Sequence, residues 1–212
     1  LFAVDNSMAT FVSQKPLDLG ADFSVFSTTK FISGHGSVTA GAVVSKTKEL
    51  HQKVRFFANA YGNAQSPMDV YLTSLGLPTL VYRMKAQEES ALIIAKFLKN
   101  FPQIKSVKFP ALEDFEQYDL AKKQMSIIPA VLTIQLQDEE TANQLINNTK
   151  LFGKKVSFGT SDSRLEIPAK MSHATNSKDS LASKGIDNAT VRISVGLENT
   201  EDLIEDLSQA LQ

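Results

Sequence analysis

The chain reads as an α/β protein on three observations. Short apolar runs at residues 1–4 and 23–26 each end in polar residues, the pattern of buried parallel strands running into loops. Longer segments at residues 47–61 and 78–98 carry apolar residues at helical spacing. Beyond Pro102, short strands alternate with helices, which marks a smaller unit of α+β character. The boundary is placed near Gly76, inside the long helical region. Residues 1–76 are then the end of a larger α/β domain, and residues 77–212 a small C-terminal α+β domain.

The first apolar run is closed by Asp5-Asn6-Ser7, so Asp5 stands at the carboxyl end of a strand, where open α/β sheets bind ligands. After Pro16 and Gly20, the strand at 23–26 ends in Ser27-Thr28-Thr29-Lys30, and a Gly/Ala-rich third strand follows at 38–44. Leu50, Val54, Phe57, Ala58 and Tyr61 form the stripe of an amphipathic helix. Pro67 suits a first helical turn, with Val70, Leu72 and Leu75 leading to Gly76. Pro78 opens a longer helix whose Leu80, Met84, Ala91, Ile94, Ala95 and Leu98 share a face, and Asn100-Phe101-Pro102 stops it. Residues 104–109, 130–136 and 156–158 read as strands and 139–147 as a helix. In a strand over 190–195, Val191, Ile193 and Val195 face a core while Arg192 and Ser194 point the other way. The last helix starts at Asn199 or Thr200, has Glu201 and Asp202 in its first turn, and buries Leu203, Ile204, Leu207 and Leu211. The Ser-rich passage between 157 and 190 reads as a long functional or mobile loop. A start on an apolar strand reads as the C-terminal part of a longer chain.

Composition narrows the function classes. With 212 residues, 42% hydrophobic and 21% charged, the chain can bury a sizeable core. A formal net charge of -1 with scattered Lys and Arg gives no footprint for nucleic acid or an anionic membrane. The absence of cysteine excludes disulfides, thiolate metal sites and a cysteine nucleophile, and His35, His51 and His173 are too far apart for a local metal-ligand spacing. No apolar run approaches a membrane span, and the N-terminus carries no signal pattern, so the chain reads as cytoplasmic.

One group of residues stands out. Lys30 is an amine just past a strand, among hydroxyls and glycines; Asp5 is an anion at the end of a neighbouring strand; Ser27 and Thr29 are hydroxyl donors; Arg192 offers a planar fork for a carboxylate. Pyridoxal phosphate (PLP) asks a protein for those four parts. The same residues also read as a solvated loop lysine, a turn-forming aspartate, local turn hydroxyls and the wet face of a strand, and residue type alone leaves both readings open.

The motifs go further. Val4-Asp5-Asn6-Ser7-Met8-Ala9-Thr10, then Gln14-Lys15-Pro16-Leu17-Asp18-Leu19-Gly20-Ala21-Asp22, then Ser27-Thr28-Thr29-Lys30-Phe31-Ile32-Ser33-Gly34-His35 resemble the signature of the Cys/Met-metabolism, or trans-sulfuration, PLP enzymes. The resemblance continues through Ser66-Pro67-Met68-Asp69, Ser157-Phe158-Gly159, Pro168-Ala169-Lys170-Met171-Ser172-His173-Ala174 and Val191-Arg192-Ile193-Ser194-Val195-Gly196-Leu197-Glu198. It implies the C-terminal part of an aspartate aminotransferase-like, fold type I PLP-dependent transferase. The implied activity is elimination or replacement on sulfur amino acids by a homo-oligomer, a dimer of dimers.

Residue by residue, the resemblance implies Lys30 as Schiff-base lysine and proton shuttle, Asp5 as partner of the pyridinium nitrogen, and Ser27 and Thr29 as phosphate donors. Ser7 lies in the shell around the ring where the family has threonine, and Ser157 with Arg192 binds the substrate α-carboxylate. His35 and His173 match family positions and read as structural. The family's glycine phosphate loop, ring-stacking tyrosine and the Tyr/Arg pair lent to a neighbouring subunit belong to a first half that this sequence does not include, so the 212 residues alone are expected to be inactive. Departures leave the substrate open and keep a catalytically incomplete paralogue, acting as an assembly or binding module, as the alternative. Thr28, Phe31 and Ser37 replace alanine, tyrosine and an acid; Leu75-Gly76-Leu77-Pro78 and Asp162-Ser163-Arg164 stand where the family has Arg-Gly-Leu and Glu-Ser-Leu.

Overall fold

A computed structural model describes the backbone of residues 1–212 and every side chain except that of Lys178. Strand β1 (Ala3–Asp5) pairs in parallel with β2 (Phe23–Ser27), which pairs antiparallel with β3 (Gly41–Ser45). Because β1 and β2 are parallel, Asp5 and Ser27 arrive at the same edge of this three-stranded sheet. Between them, Asn6 Nδ2 donates to Thr10 O (3.0 Å) and Gln14 O (2.9 Å) across the short helix α1 (Thr10–Ser13). Within the described residues β1 has β2 as its neighbour, and Leu1 and Phe2 are 95% and 59% exposed.

Helix α2 (Lys48–Ala60) begins at Thr47, whose Oγ1 accepts from Leu50 N–H at 3.2 Å. None of its residues is buried, and Phe56, Phe57 and Tyr61 of its apolar side face outward. In α3 (Pro67–Gly76), Pro67 takes the first turn behind a Ser66 cap. Pro78 sits in a short 3-10 turn, Leu77–Thr79, and the long helix α4 starts two residues later, at Leu80–Leu98. Its expected stripe is buried, and so are Arg83 and Gln87 beside it.

The second sheet has the order β4-β5-β8-β7-β6. Its strands are β4 (Ile104–Lys108), β5 (Val131–Leu136), β6 (Gly153–Lys154), β7 (Arg164–Glu166) and β8 (Thr190–Ser194), with helices α5 (Tyr118–Gln124), α6 (Glu139–Asn148), α7 (Lys178–Ala182) and α8 (Thr200–Ala210) between and after them. Leu132, Ile134, Val191 and Ile193 meet Leu98, Leu145, Leu203 and Leu207 in one core. Asn199 caps α8, its Oδ1 accepting from Glu201 N–H at 2.8 Å and Asp202 N–H at 3.3 Å.

Two expectations fail in this sheet. Residues 156–158 are not a strand: Ser157 has φ 83° and Gly159 φ 77°, so the chain turns where extended backbone was expected, and the strand lies earlier, at Gly153–Lys154. The passage from 157 to 190 is not a loop throughout. It holds β7 and α7, and β7 escapes sequence reading because its three residues include one apolar side chain, Leu165.

The joint between the sheets is a buried arginine. Arg83, 6% exposed, donates from Nη1 to Phe31 O (2.8 Å), from Nη2 to Ile32 O (3.2 Å) and Gly76 O (2.8 Å), and from Nε to Thr79 Oγ1 (3.0 Å). Burial lowers its pKa, yet a guanidinium stays charged at any ordinary pH. Gly34, at φ 70°, lies so close that an added Cβ would fall 2.1 Å from Arg83 Nη1. One turn along α4, Gln87 Nε2 donates to Thr160 O (2.8 Å) and Val195 O (3.1 Å). Replacing Arg83 by alanine strands several buried carbonyls, so Arg83→Ala should lower stability by about 3 kcal/mol in urea unfolding. A loss below about 1 kcal/mol would show that the carbonyls find other donors.

Candidate active site

At the shared edge of β1 and β2 a chain of hydrogen bonds links the two strand ends. Asp5 Oδ1 accepts from Ser7 N–H at 3.0 Å and from Ser7 Oγ–H at 2.6 Å, and Ser7 Oγ accepts from Ser27 N–H at 2.6 Å. Asp5 is exposed and Ser27 half-buried. The following turn is closed by Lys30 N–H to Ser27 O (3.2 Å) and Ser33 N–H to Thr28 O (2.9 Å), which sets Lys30 three residues past the edge. Thr29 Oγ1 is engaged, accepting from Ala40 N–H at 2.9 Å and donating to Ala40 O at 3.3 Å. Thr28 Oγ1 is buried without a partner among the described residues.

Across the joint lies the loop that replaces the expected strand. Lys30 Nζ donates to Ser157 Oγ at 2.7 Å and sits 5.0 Å from the centre of the Phe158 ring. Arg192 Cζ approaches the same ring at 5.4 Å, and Phe158 packs on Phe31 at 6.0 Å. β8 holds the loop through the two side chains that alternation puts on one face. Arg192 Nη2 donates to Ser157 O at 3.0 Å, and Ser194 Oγ accepts from Gly159 N–H at 3.0 Å. A Cβ on Gly159 would fall 2.7 Å from Phe31 N, so only glycine lets the loop lie this close to the Lys30 turn.

Sequence reasoning missed Glu166. It is paired directly opposite Arg192 between β7 and β8, its side chain is 1% exposed, and Oε1 lies 3.0 Å from Arg192 Nη2 while accepting from Ser172 Oγ at 2.6 Å. Its signal was hidden with β7 itself. The histidines stand apart: His35 contacts Ser33 O, and His173 Nδ1 contacts Ser172 Oγ at 2.8 Å.

The local charges shape the amine. Burial first, then Arg192 and Arg164, pull Lys30 below the ordinary lysine pKa, with Glu166 opposing them. Burial likewise lowers Arg192, again against Glu166. The cation at Arg164 is locally matched: Asp162 accepts from its Nε at 3.1 Å and Nη2 at 2.9 Å. Burial tends to raise the Asp162 carboxyl, but Arg164, Thr160 and Lys155 outweigh it and hold it at about 2. The site therefore offers an amine with a raised unprotonated fraction, beside a cation suited to a carboxylate.

Comparison with known proteins agrees with this chemistry. A family described as Cys/Met metabolism PLP-dependent enzyme matches residues 1–212. Cystathionine gamma-lyase of Bos taurus is 38% identical over 213 residues, covering 100% of this chain and 53% of its own length. L-methionine gamma-lyase of Fusobacterium nucleatum subsp. polymorphum is 40% identical over 215 residues, covering 100% and 54%. The crystal structure of cystathionine gamma synthase from Xanthomonas oryzae pv. oryzae in complex with cystathionine superposes with a TM-score of 0.97 at 37% identity, over 100% of this chain and 55% of that one. The chain thus spans about half the length of the relatives it matches.

The Lys30 environment gives a measurable consequence. A folded pKa below the unfolded value means that, between the two, the unfolded chain binds a proton the folded chain lacks, so stability rises with pH through that window. Acylation of the cofactor-free protein followed by peptide mapping should find Lys30 reacting with a midpoint below that of an ordinary lysine, and Lys30→Met should remove its part of the alkaline rise in stability. A Lys30 midpoint at or above that value would contradict the desolvated amine.

Proposed function

Because the chain belongs to the Cys/Met-metabolism PLP-dependent enzyme family, we propose that it serves PLP-dependent elimination or replacement on sulfur amino acids, with Lys30 as the cofactor's attachment point. The observation that carries the proposal is the Lys30 amine, depressed in pKa and held 2.7 Å from Ser157 Oγ on the other side of the joint. The donor set fits the cofactor in kind. Asp5, fixed by Ser7, is the acid for the ring nitrogen; Ser27 Oγ, which has no hydrogen-bond partner among the described residues, is a free phosphate donor; Thr29 can join it by giving up its long bond to Ala40 O.

Bound PLP supplies an electron sink that acidifies the α C–H of an amino acid. The protein's own part is then to place and move protons. Arg192 and Ser157 hold the α-carboxylate and so fix which Cα–H faces Lys30. Lys30 takes the proton from Cα and returns one at the end of the reaction, a role for which an amine of lowered pKa is suited. Asp5 would hold a proton on the ring nitrogen of the bound group through its opposite charge. Phe158, stacked against Lys30 and Arg192, keeps water from that side.

The relatives' names, cystathionine gamma-lyase, cystathionine beta-lyase and L-methionine gamma-lyase, suggest cystathionine or methionine as the substrate class. The same proposal includes a homo-oligomeric dimer of dimers, a cytoplasmic setting and a division at Gly76 into a PLP-binding part (1–76) and a small domain (77–212). It also includes a lack of turnover by these residues alone, supported by their spanning about half of the relatives. Among the described residues, no helix is long and apolar enough to cross a membrane. An assembly or binding module is the second reading, favoured by the engaged Thr29 hydroxyl.

Borohydride reduction of the natural full-length protein with PLP, followed by peptide mapping, should fix the cofactor on Lys30, and Lys30→Ala should abolish the label. Asp5→Asn should cut kcat with cystathionine or methionine by roughly 100-fold while changing cofactor affinity far less. An unmodified Lys30 would sink the enzyme reading; a labelled Lys30 without turnover would leave the module.

A further inference from the structure

The hydrogen bonds of Arg192 bear on what it can bind. A carboxylate held bidentately uses either the Nε–Nη2 edge or the Nη1–Nη2 end of a guanidinium, so each mode needs an N–H of Nη2. Nη2 donates to Ser157 O at 3.0 Å, and Glu166 Oε1 lies 3.0 Å from the same nitrogen as an ion-pair partner. An incoming carboxylate must therefore share Nη2 with a main-chain acceptor and with a carboxylate already beside it.

Ser157 O is the harder to move. Its loop is pinned by Gly159 N–H to Ser194 Oγ, by the close approach of Gly159 to Phe31, and by Ser157 Oγ itself, which accepts from Lys30. Glu166 is held to Arg192 by charge and not by a hydrogen bond, and it keeps the bond from Ser172 Oγ at 2.6 Å when the guanidinium turns to a ligand; its Oε2 has no partner among the described residues. We propose that Glu166 is a specificity-determining residue: it occupies the carboxylate's place on Arg192 and thereby sets how tightly an amino acid with a free α-carboxylate is held. This rests on the reading of Arg192 as the carboxylate clamp.

Glu166 has two opposing effects on such a ligand. It helps orient the guanidinium, and it cancels much of the guanidinium's charge while presenting a like charge to the ligand. Orientation survives its loss, since Ser157 O and the Phe158 ring at 5.4 Å also hold Arg192. Competition is therefore the larger effect.

The test uses the PLP-loaded full-length protein and calorimetric titration with L-alanine, which has no leaving group at Cβ or Cγ, and with L-alaninamide, which lacks the carboxylate. Glu166→Gln should tighten L-alanine roughly tenfold and leave L-alaninamide within about twofold, while Arg192→Ala weakens L-alanine about 100-fold. Glu166→Ala should also tighten L-alanine, which covers the case in which the glutamine variant fails to fold. In the Arg192→Ala background the Glu166 effect should vanish. Unchanged or weaker L-alanine binding in the Glu166 variants, with Arg192→Ala still damaging, would overturn the competitor role. L-Alanine binding untouched by Arg192→Ala would overturn the clamp reading itself.

Discussion

The arrangement turns on a single buried cation that has no carboxylate among its bonds. Arg83 binds main-chain carbonyls of Phe31 and Ile32 on one side and of Gly76 on the other, and so fastens the turn after Lys30 to the start of α4. One helical turn later Gln87 holds Thr160 O and Val195 O, at the ends of the Ser157 loop and of β8. Residues four apart lie on one face of a helix. A single face of α4 therefore sets the spacing between Lys30, contributed by the first sheet, and Ser157 and Arg192, contributed by the second.

Within that spacing the charges are balanced unevenly. Lys30 and Arg192 share the Phe158 ring between them, and Glu166 is the buried acid that faces Arg192. Arg164 is answered by Asp162 two residues before it, which offsets much of its charge locally. The lowered pKa of Lys30 follows from burial first and then from Arg192 and Arg164, with Glu166 opposing them, which is the environment a nucleophilic or basic amine requires.

Much of the fold was legible in the sequence, for reasons that can be named. The alternation Val191, Ile193, Val195 gave β8 and its two faces, the stripe from Leu80 to Leu98 gave the buried side of α4, and Pro67 and Asn199 marked helix starts. What was illegible depends on partners distant in sequence. Val156 and Phe158 alternate like a strand, yet the positive φ of Ser157 is imposed by packing on Phe31 and β8. Glu166 is buried because Arg192 and Ser172 meet it, and no local pattern encodes that meeting. Arg83 looks like a surface residue within an apolar helix until its carbonyl partners, some fifty residues back, are seen. The Lys30–Ser157 contact spans 127 positions, so motif order could name its members without giving their distance.

Anchoring through main-chain oxygens has an evolutionary side. Every amino acid carries the same carbonyl, so Arg83 holds residues 31 and 32 whatever their side chains are. A substitution in the turn, such as one at Thr28, removes no group that the tether uses. The turn that presents Lys30 is in this sense held by groups common to every residue, and its distance from the second sheet is set by a helix some fifty residues away.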